Sequence, residues 1–96
     1  MTPTVNVVCR LTPDGFLCDV MVGTDEAATR HSVAVSQDVL ARLAPGHYDP
    51  ERLVAASFEF LLAREPRESI LPDFELPIIE RYFPGYEVTI RQQMRP

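Results

Sequence analysis

Apolar and polar residues alternate in two runs near the start of the chain, residues 5–11 and 16–22, which flank Thr12-Pro13-Asp14-Gly15. A period of two marks a strand that buries one face. Pro at the second and Gly at the fourth position of the connection suit a type I turn, so the two runs form a hairpin. With those four residues as the loop, Leu11 stands opposite Phe16, Cys9 opposite Cys18, Val7 opposite Val20 and Val5 opposite Val22, a face that is apolar throughout. A slip of one residue would carry Asp19 into that face, so the pattern selects its own register. The other face carries Asn6, Val8, Arg10, Leu17, Asp19 and Met21. It is half solvated, with Arg10 and Asp19 placed for a diagonal ion pair. After a polar connection at 23–29, residues 30–36 alternate again, Val33 and Val35 inward and Ser32 and Ala34 outward, which predicts a third strand.

The period then changes to that of a helix. Ser36 can cap a short helix over 37–43, in which Val39, Leu40 and Leu43 face the core before Pro45-Gly46 ends it. Asp49-Pro50-Glu51 starts a longer one over 50–64. The Asp49 carboxylate can accept from an orphan backbone N–H, and Pro50 lacks the N–H that a first-turn residue would waste. At 100° per residue, Leu53, Val54, Phe58, Phe60, Leu61 and Leu62 fill an arc of about 200°, leaving Arg52, Glu59 and Ala63 opposite. An arc that wide calls for packing on two sides, and Ser57 can satisfy its hydroxyl on the Leu53 carbonyl. Pro66, Pro72, Pro77 and Pro84 then recur at short intervals, each disfavouring helix through the residue before it. Between them the spacing predicts one helical turn over 67–71 and about two turns over 76–83, with Leu76, Ile79 and Phe83 inward. Strands first and helices after them read as a single α+β domain over 1–96, a three-stranded antiparallel sheet followed by three to four helices packed on one face.

The string ASFEFLLAREPRESIL, followed by F-x-L-x-x-I-x-RYFPGY, resembles a segment of a family of small uncharacterised bacterial proteins. The match spans residues 56–86. The resemblance implies a shared fold and nothing about chemistry, so no functional residue carries over. The chain departs from the family pattern at Pro72, Pro77 and Gly85, where helix-compatible residues are expected, which bears on the length of the last helices. Residues 87–94 stay open between strand, from the alternation of Val88 and Ile90, and helix, which the resemblance favours.

Composition narrows the function classes. The net charge is −5, with six acids against three arginines through Pro50 and eight against six after it. Neither half is basic, which argues against nucleic acid and anionic membrane as partners. No apolar run approaches the ~20 residues of a membrane span, and residues 1–6 have neither a basic nor an apolar leader region, so the expected location is the cytoplasm. All nine basic residues are Arg. The absence of Lys excludes Schiff-base chemistry and a P-loop lysine, and the four scattered glycines make no phosphate-cradling loop.

Cys9 and Cys18, opposed in the hairpin, could form a redox pair, but without C-x-x-C or a secretory signal they read as two reduced core residues. With His31 and His47 they lack any spacing known to build a metal site, His31 fitting a strand edge and His47 a Gly-preceded loop, and no cofactor is expected. Glu65, Glu68, Asp73 and Glu80 are the acid–base candidates, though none sits beside a His, and Ser57 and Ser69 lack a nucleophile elbow. The strongest candidate is the junction Arg64-Glu65-Pro66-Arg67-Glu68-Ser69. There Arg64, Arg67 and Ser69, with Arg81 beyond, would bind a phosphate or carboxylate at the N-terminus of a short helix. The competing account is structural: the Arg64 stem packs while its head pairs with Glu68 or caps carbonyls, and Arg67 is exposed. The leading functional reading is a non-enzymatic interaction or regulatory module with a protein partner or a second copy. The alternatives are a small-anion or metabolite binder at Arg64 and Arg67, and an enzyme whose site is assembled across the fold.

Overall fold

A computed structural model describes residues 3–46 and 49–95, so His47 lies outside the described residues. The elements follow as β1 (Val5–Thr12), β2 (Gly15–Val22), β3 (Thr29–Ser36), α1 (Gln37–Leu43), α2 (Pro50–Leu62), β4 (Asp73–Glu75), α3 (Ile78–Tyr82) and α4 (Tyr86–Gln93), with a 3-10 turn at Arg67–Ser69.

The hairpin adopts the register that its alternation selects, from Val5 opposite Val22 to Leu11 opposite Phe16. Thr12 and Gly15 close the loop. A side chain at Gly15 would run into the backbone of Val35, Ser36 and Gln37, where β3 passes into α1, so this position takes the one residue without a Cβ. The diagonal pair of Arg10 and Asp19 does not form. The ion pairs among the described residues are Arg42–Glu87, Arg67–Asp25 and Arg67–Glu68. Arg10 and Asp19 are both exposed, where an ion pair gains too little to hold two side chains in place.

The sheet has a fourth strand, and that strand is parallel. β4 lies beside β3 with Ser32 opposite Asp73, Val33 opposite Phe74 and Ala34 opposite Glu75, giving the order β1-β2-β3-β4. The sheet is therefore mixed rather than three antiparallel strands. Three residues are too few to show a period, and a parallel partner reached through two helices leaves no turn signal between the strands.

Prolines shorten the helices more than their apolar spacing suggests. The segment 67–71 is a 3-10 turn of three residues, and 76–83 contracts to α3 because Leu76 still extends the β4 pairing, its N–H bonded to Ala34 O. α2 stops at Leu62 instead of Arg64. The N–H groups of Arg64 and Glu65 both turn back onto Leu61 O, which tightens the chain before Pro66. Residues 86–93 form helix α4.

The caps and the phase of α2 are as the sequence predicts. Asp49 accepts from Glu51 N at 3.0 Å, Ser36 accepts from Val39 N at 3.1 Å, and Ser57 donates to Leu53 O at 2.8 Å. Leu53, Val54, Phe58, Phe60 and Leu61 are buried while Arg52, Glu59 and Ala63 are exposed. One side of α2 packs on β1 and β2 and the other meets α1 and α4.

Cys9 and Cys18 correct the expectation of free thiols, because they are joined as a disulfide. Their Cα atoms are 4.0 Å apart. The Cys9 N–H points away from β2, to Glu51 Oε2 at 3.1 Å. The pair therefore exchanges no ladder hydrogen bonds, which is where cross-strand side chains come closest.

Replacing Phe58 with Ala should cost about 3–5 kcal/mol, because the ring is fully buried against His31 and Phe74. Replacing the exposed Glu59 should change stability by less than about 0.5 kcal/mol. Urea denaturation separates the two, and equal midpoints would overturn the phase of α2.

Candidate functional site

Where prolines stop a helix, the last carbonyls need other donors. Arg64 supplies one at the end of α2. Its Nη1 donates to Phe60 O at 2.9 Å, and its guanidinium lies over the Phe60 ring with Cζ 3.5 Å from the centroid. This is the carbonyl-capping form of the structural account; Glu68 pairs with Arg67 instead.

Arg67 departs from its expected exposure, since its side chain is only 17% accessible. It reaches back to the end of β2, where Nη1 donates to Val22 O at 3.4 Å and Nη2 meets Asp25 Oδ1 at 3.3 Å. Its guanidinium lies against Gly23, whose φ of +92° and missing Cβ open the space. Ser69 and Arg81 are both exposed, Ser69 ending the 3-10 turn and Arg81 on α3. Arg64 and Arg67 thus turn to different neighbours, and an anion approaching Arg67 meets a guanidinium already engaged by Asp25.

The carboxylates singled out for acid–base work take several roles. Glu80 accepts from Gly85 N at 2.7 Å and from Glu87 N at 2.8 Å, so it caps α4. Asp73 lies on β4, and Glu65 is partly buried, which pushes its carboxyl above the ordinary value.

Two buried polar positions are fully satisfied. His31 lies inward on β3, not at a strand edge, and is 5% exposed. Its parity with Val33 and Val35 turns it to the helices. One ring nitrogen, Nδ1, lies 2.8 Å from Leu71 O and the other 2.8 Å from the Thr29 hydroxyl. A carbonyl only accepts, so Nδ1 carries a proton and donates to Leu71 O, and His31 pins β3 to the approach to β4. The Ser57 hydroxyl is spent on Leu53 O, so the Tyr86 hydroxyl must be the donor in their 2.6 Å contact. Burial pushes the Tyr86 phenol far above the ordinary tyrosine value. The stripe Tyr86, Ile90, Met94 at helical spacing signalled this buried face, competing with the alternation at Val88 and Ile90.

Besides Val8 and Leu11 on β1 and Val88 on α4, part of the apolar surface left uncovered lies between the 3-10 turn, β4 and α3. Leu71 and Tyr82 are 41% and 64% exposed there, and with Phe74 and Ile78 they wall a groove of about 290 Å³ in which Glu65 and Ser69 are polar lining. Sequence reasoning took in Ser69 but missed the groove, because its walls come from three short segments that no single period joins. Among the described residues no group of three or more His, Cys, Asp or Glu is placed to hold a metal ion, and no helix is long and apolar enough to cross a membrane. No family model matches the chain, and neither a curated protein nor a solved structure matches it.

Arg67→Ala should destabilise the protein by about 1–2 kcal/mol, since it strips Val22 O and Asp25 of a donor and opens a gap over Gly23. Arg64→Ala, at an exposed helix end where water can replace the guanidinium, should cost about 0.5–1 kcal/mol. Urea midpoints in the reverse order would refute this ranking. Tyr86 also sets an alkaline limit. Its pKa is raised on folding, so above about pH 10 the unfolded chain loses a proton that the folded one keeps, and stability falls as pH rises. With no Lys in the chain, the slope should approach about 1.4 kcal/mol per pH unit above pH 10 and should disappear in Tyr86→Phe. An unchanged slope in that variant would remove Tyr86 as its source.

Proposed function

We propose that the protein is a small non-enzymatic interaction module that receives a protein partner on its β4–α3 side. The observation that supports this is the open groove, with Leu71 and Tyr82 left exposed at its wall on a domain whose other large apolar side chains mostly pack into one core. An apolar depression with few polar groups is the usual form of a recognition site. Its walls are held from below: Phe74 is fixed by the β3 pairing and by Phe58, and Leu71 by the bond of its carbonyl to His31. A partner therefore meets a surface that costs little to order.

An environment-sensitive apolar dye tests whether the groove receives apolar groups. The native protein should bind it saturably, and Tyr82→Asp should weaken that binding about tenfold while the circular dichroism spectrum is unchanged, about 1.4 kcal/mol for placing a charge where a ring had been. Equal dye binding by parent and variant would rule the groove out as the recognition surface.

A further inference from the structure

The two edges of the sheet are treated differently. On the β1 side one outward-pointing N–H, that of Cys9, is taken by the Glu51 carboxylate at the start of α2, while Val5, Val7 and Leu11 at the same parity make no such bond among the described residues. On the β4 side the hydrogen-bond alternation runs the other way. Ser32 N donates to Pro72 O and Leu76 N donates to Ala34 O, so Pro72 O, Leu76 N and, between them, both backbone groups of Phe74 face β3. The N–H and C=O groups of Asp73 and Glu75 then face away from the sheet. They meet no partner among the described residues.

Beside this open edge stands the first turn of α3. Pro77, Ile78 and Arg81 form one wall of a depression of about 440 Å³ whose floor and other wall are Asp73, Phe74 and Glu75. Phe74 and Ile78 also line the apolar groove described above. A strand edge, a facing helix turn and an adjoining apolar depression are the parts needed to accept an extended peptide by strand addition. Main-chain hydrogen bonds would supply affinity and alternate side chains specificity.

Charge selects the occupant. Asp73 and Glu75 flank the free edge, Glu65 lines the adjoining groove, and Arg81 is the one cation lining the edge depression. A second copy pairing β4 with β4 would bring Asp73 and Glu75 against their own equivalents, and like charges across a strand pair repel. A short charged edge is also a common guard against self-association. Here the guard acts by charge sign alone, since the backbone groups and the groove beside them stay open. We infer that the β4 edge and the α3 turn form a strand-addition site for an extended segment of another protein in which Lys or Arg alternates with apolar residues. This rests on the interaction-module reading and specifies its partner.

The probes are three fluorescent peptides: an acetylated Lys-Val-Lys-Leu-Lys-Val, its counterpart with Glu for Lys, and the Lys peptide N-methylated at the residues of one edge. Anisotropy at low salt should show saturable binding of the Lys peptide, with about tenfold weaker binding of the Glu and the N-methylated peptides. The double variant D73K/E75K, at two exposed positions, should keep its circular dichroism spectrum and reverse the preference toward the Glu peptide. Hydrogen exchange at the Asp73 and Glu75 amides should slow when the Lys peptide binds the parent. No saturation up to roughly 1 mM, or binding that N-methylation leaves unchanged, would overturn strand addition, the second outcome leaving only charge attraction. If dye binding to the groove survives while the peptide fails, the fault lies with this inference; if both fail, the interaction-module reading falls with it.

Discussion

Helix α2 has to bury apolar side chains over about 200° of its surface, more than one sheet face can cover. The sheet takes one side, with Phe58 seated against His31 of β3 and Phe74 of β4. The other side needs a second layer, and α1 and α4 provide it: Phe60 meets Tyr86 at 5.2 Å between ring centroids, and the Tyr86 hydroxyl reaches Ser57. Every other element takes its place from this demand. The sheet must stand below α2, α4 must return above it, and the segment between them must run down to the sheet and back within little more than twenty residues.

That return is what the prolines shape. A continuous helix from α2 would carry the chain away from the sheet, whereas Pro66 and Pro72 turn it back so that residues 73–75 can pair with β3. The same bends leave polar groups that water would otherwise have to satisfy, and nearby side chains take up several of them: Arg64 holds Phe60 O, His31 holds Leu71 O, and Glu80 takes the first N–H groups of α4. Short elements joined by tight turns cannot fully cover an apolar surface. The groove beside β4 and α3 is one place left uncovered, and at its wall Leu71 is tied to β3 through His31.

Arg67 illustrates how the junction divides between structure and recognition. Its proximity in sequence to Arg64, Glu68 and Ser69 suggests one polar cluster, but beyond its pairing with Glu68 the guanidinium reaches away and fills the space above Gly23 at the end of β2. What lines that side is more acidic and apolar than basic: Glu65, Asp73 and Glu75 beside Leu71 and Tyr82, with Arg81 the one cation in the linings. The chemistry of the surface is thereby set by which charge the fold consumes internally.

The parts legible in the sequence are those whose partners are close along the chain. The hairpin register follows from two alternating runs about a four-residue turn, the phase of α2 from its own 3.6-residue period, and the Ser36, Asp49 and Ser57 bonds from groups two to four residues away. The parts decided by the tertiary structure join residues that share no local period. His31 meets Leu71 across 40 positions, Cys9 meets Glu51 across 42 and Arg67 meets Val22 across 45. The parallel strand β4 belongs to the same class, because its three residues become a strand only when β3 presents the matching N–H and C=O groups. Opposition of Cys9 and Cys18 was readable from the alternation, while their bonding depended on which pairs of the ladder lack hydrogen bonds. Short-range geometry is dictated by side-chain shape and spacing; which distant edge a proline-bent segment meets is settled only when α2 has chosen both of its faces.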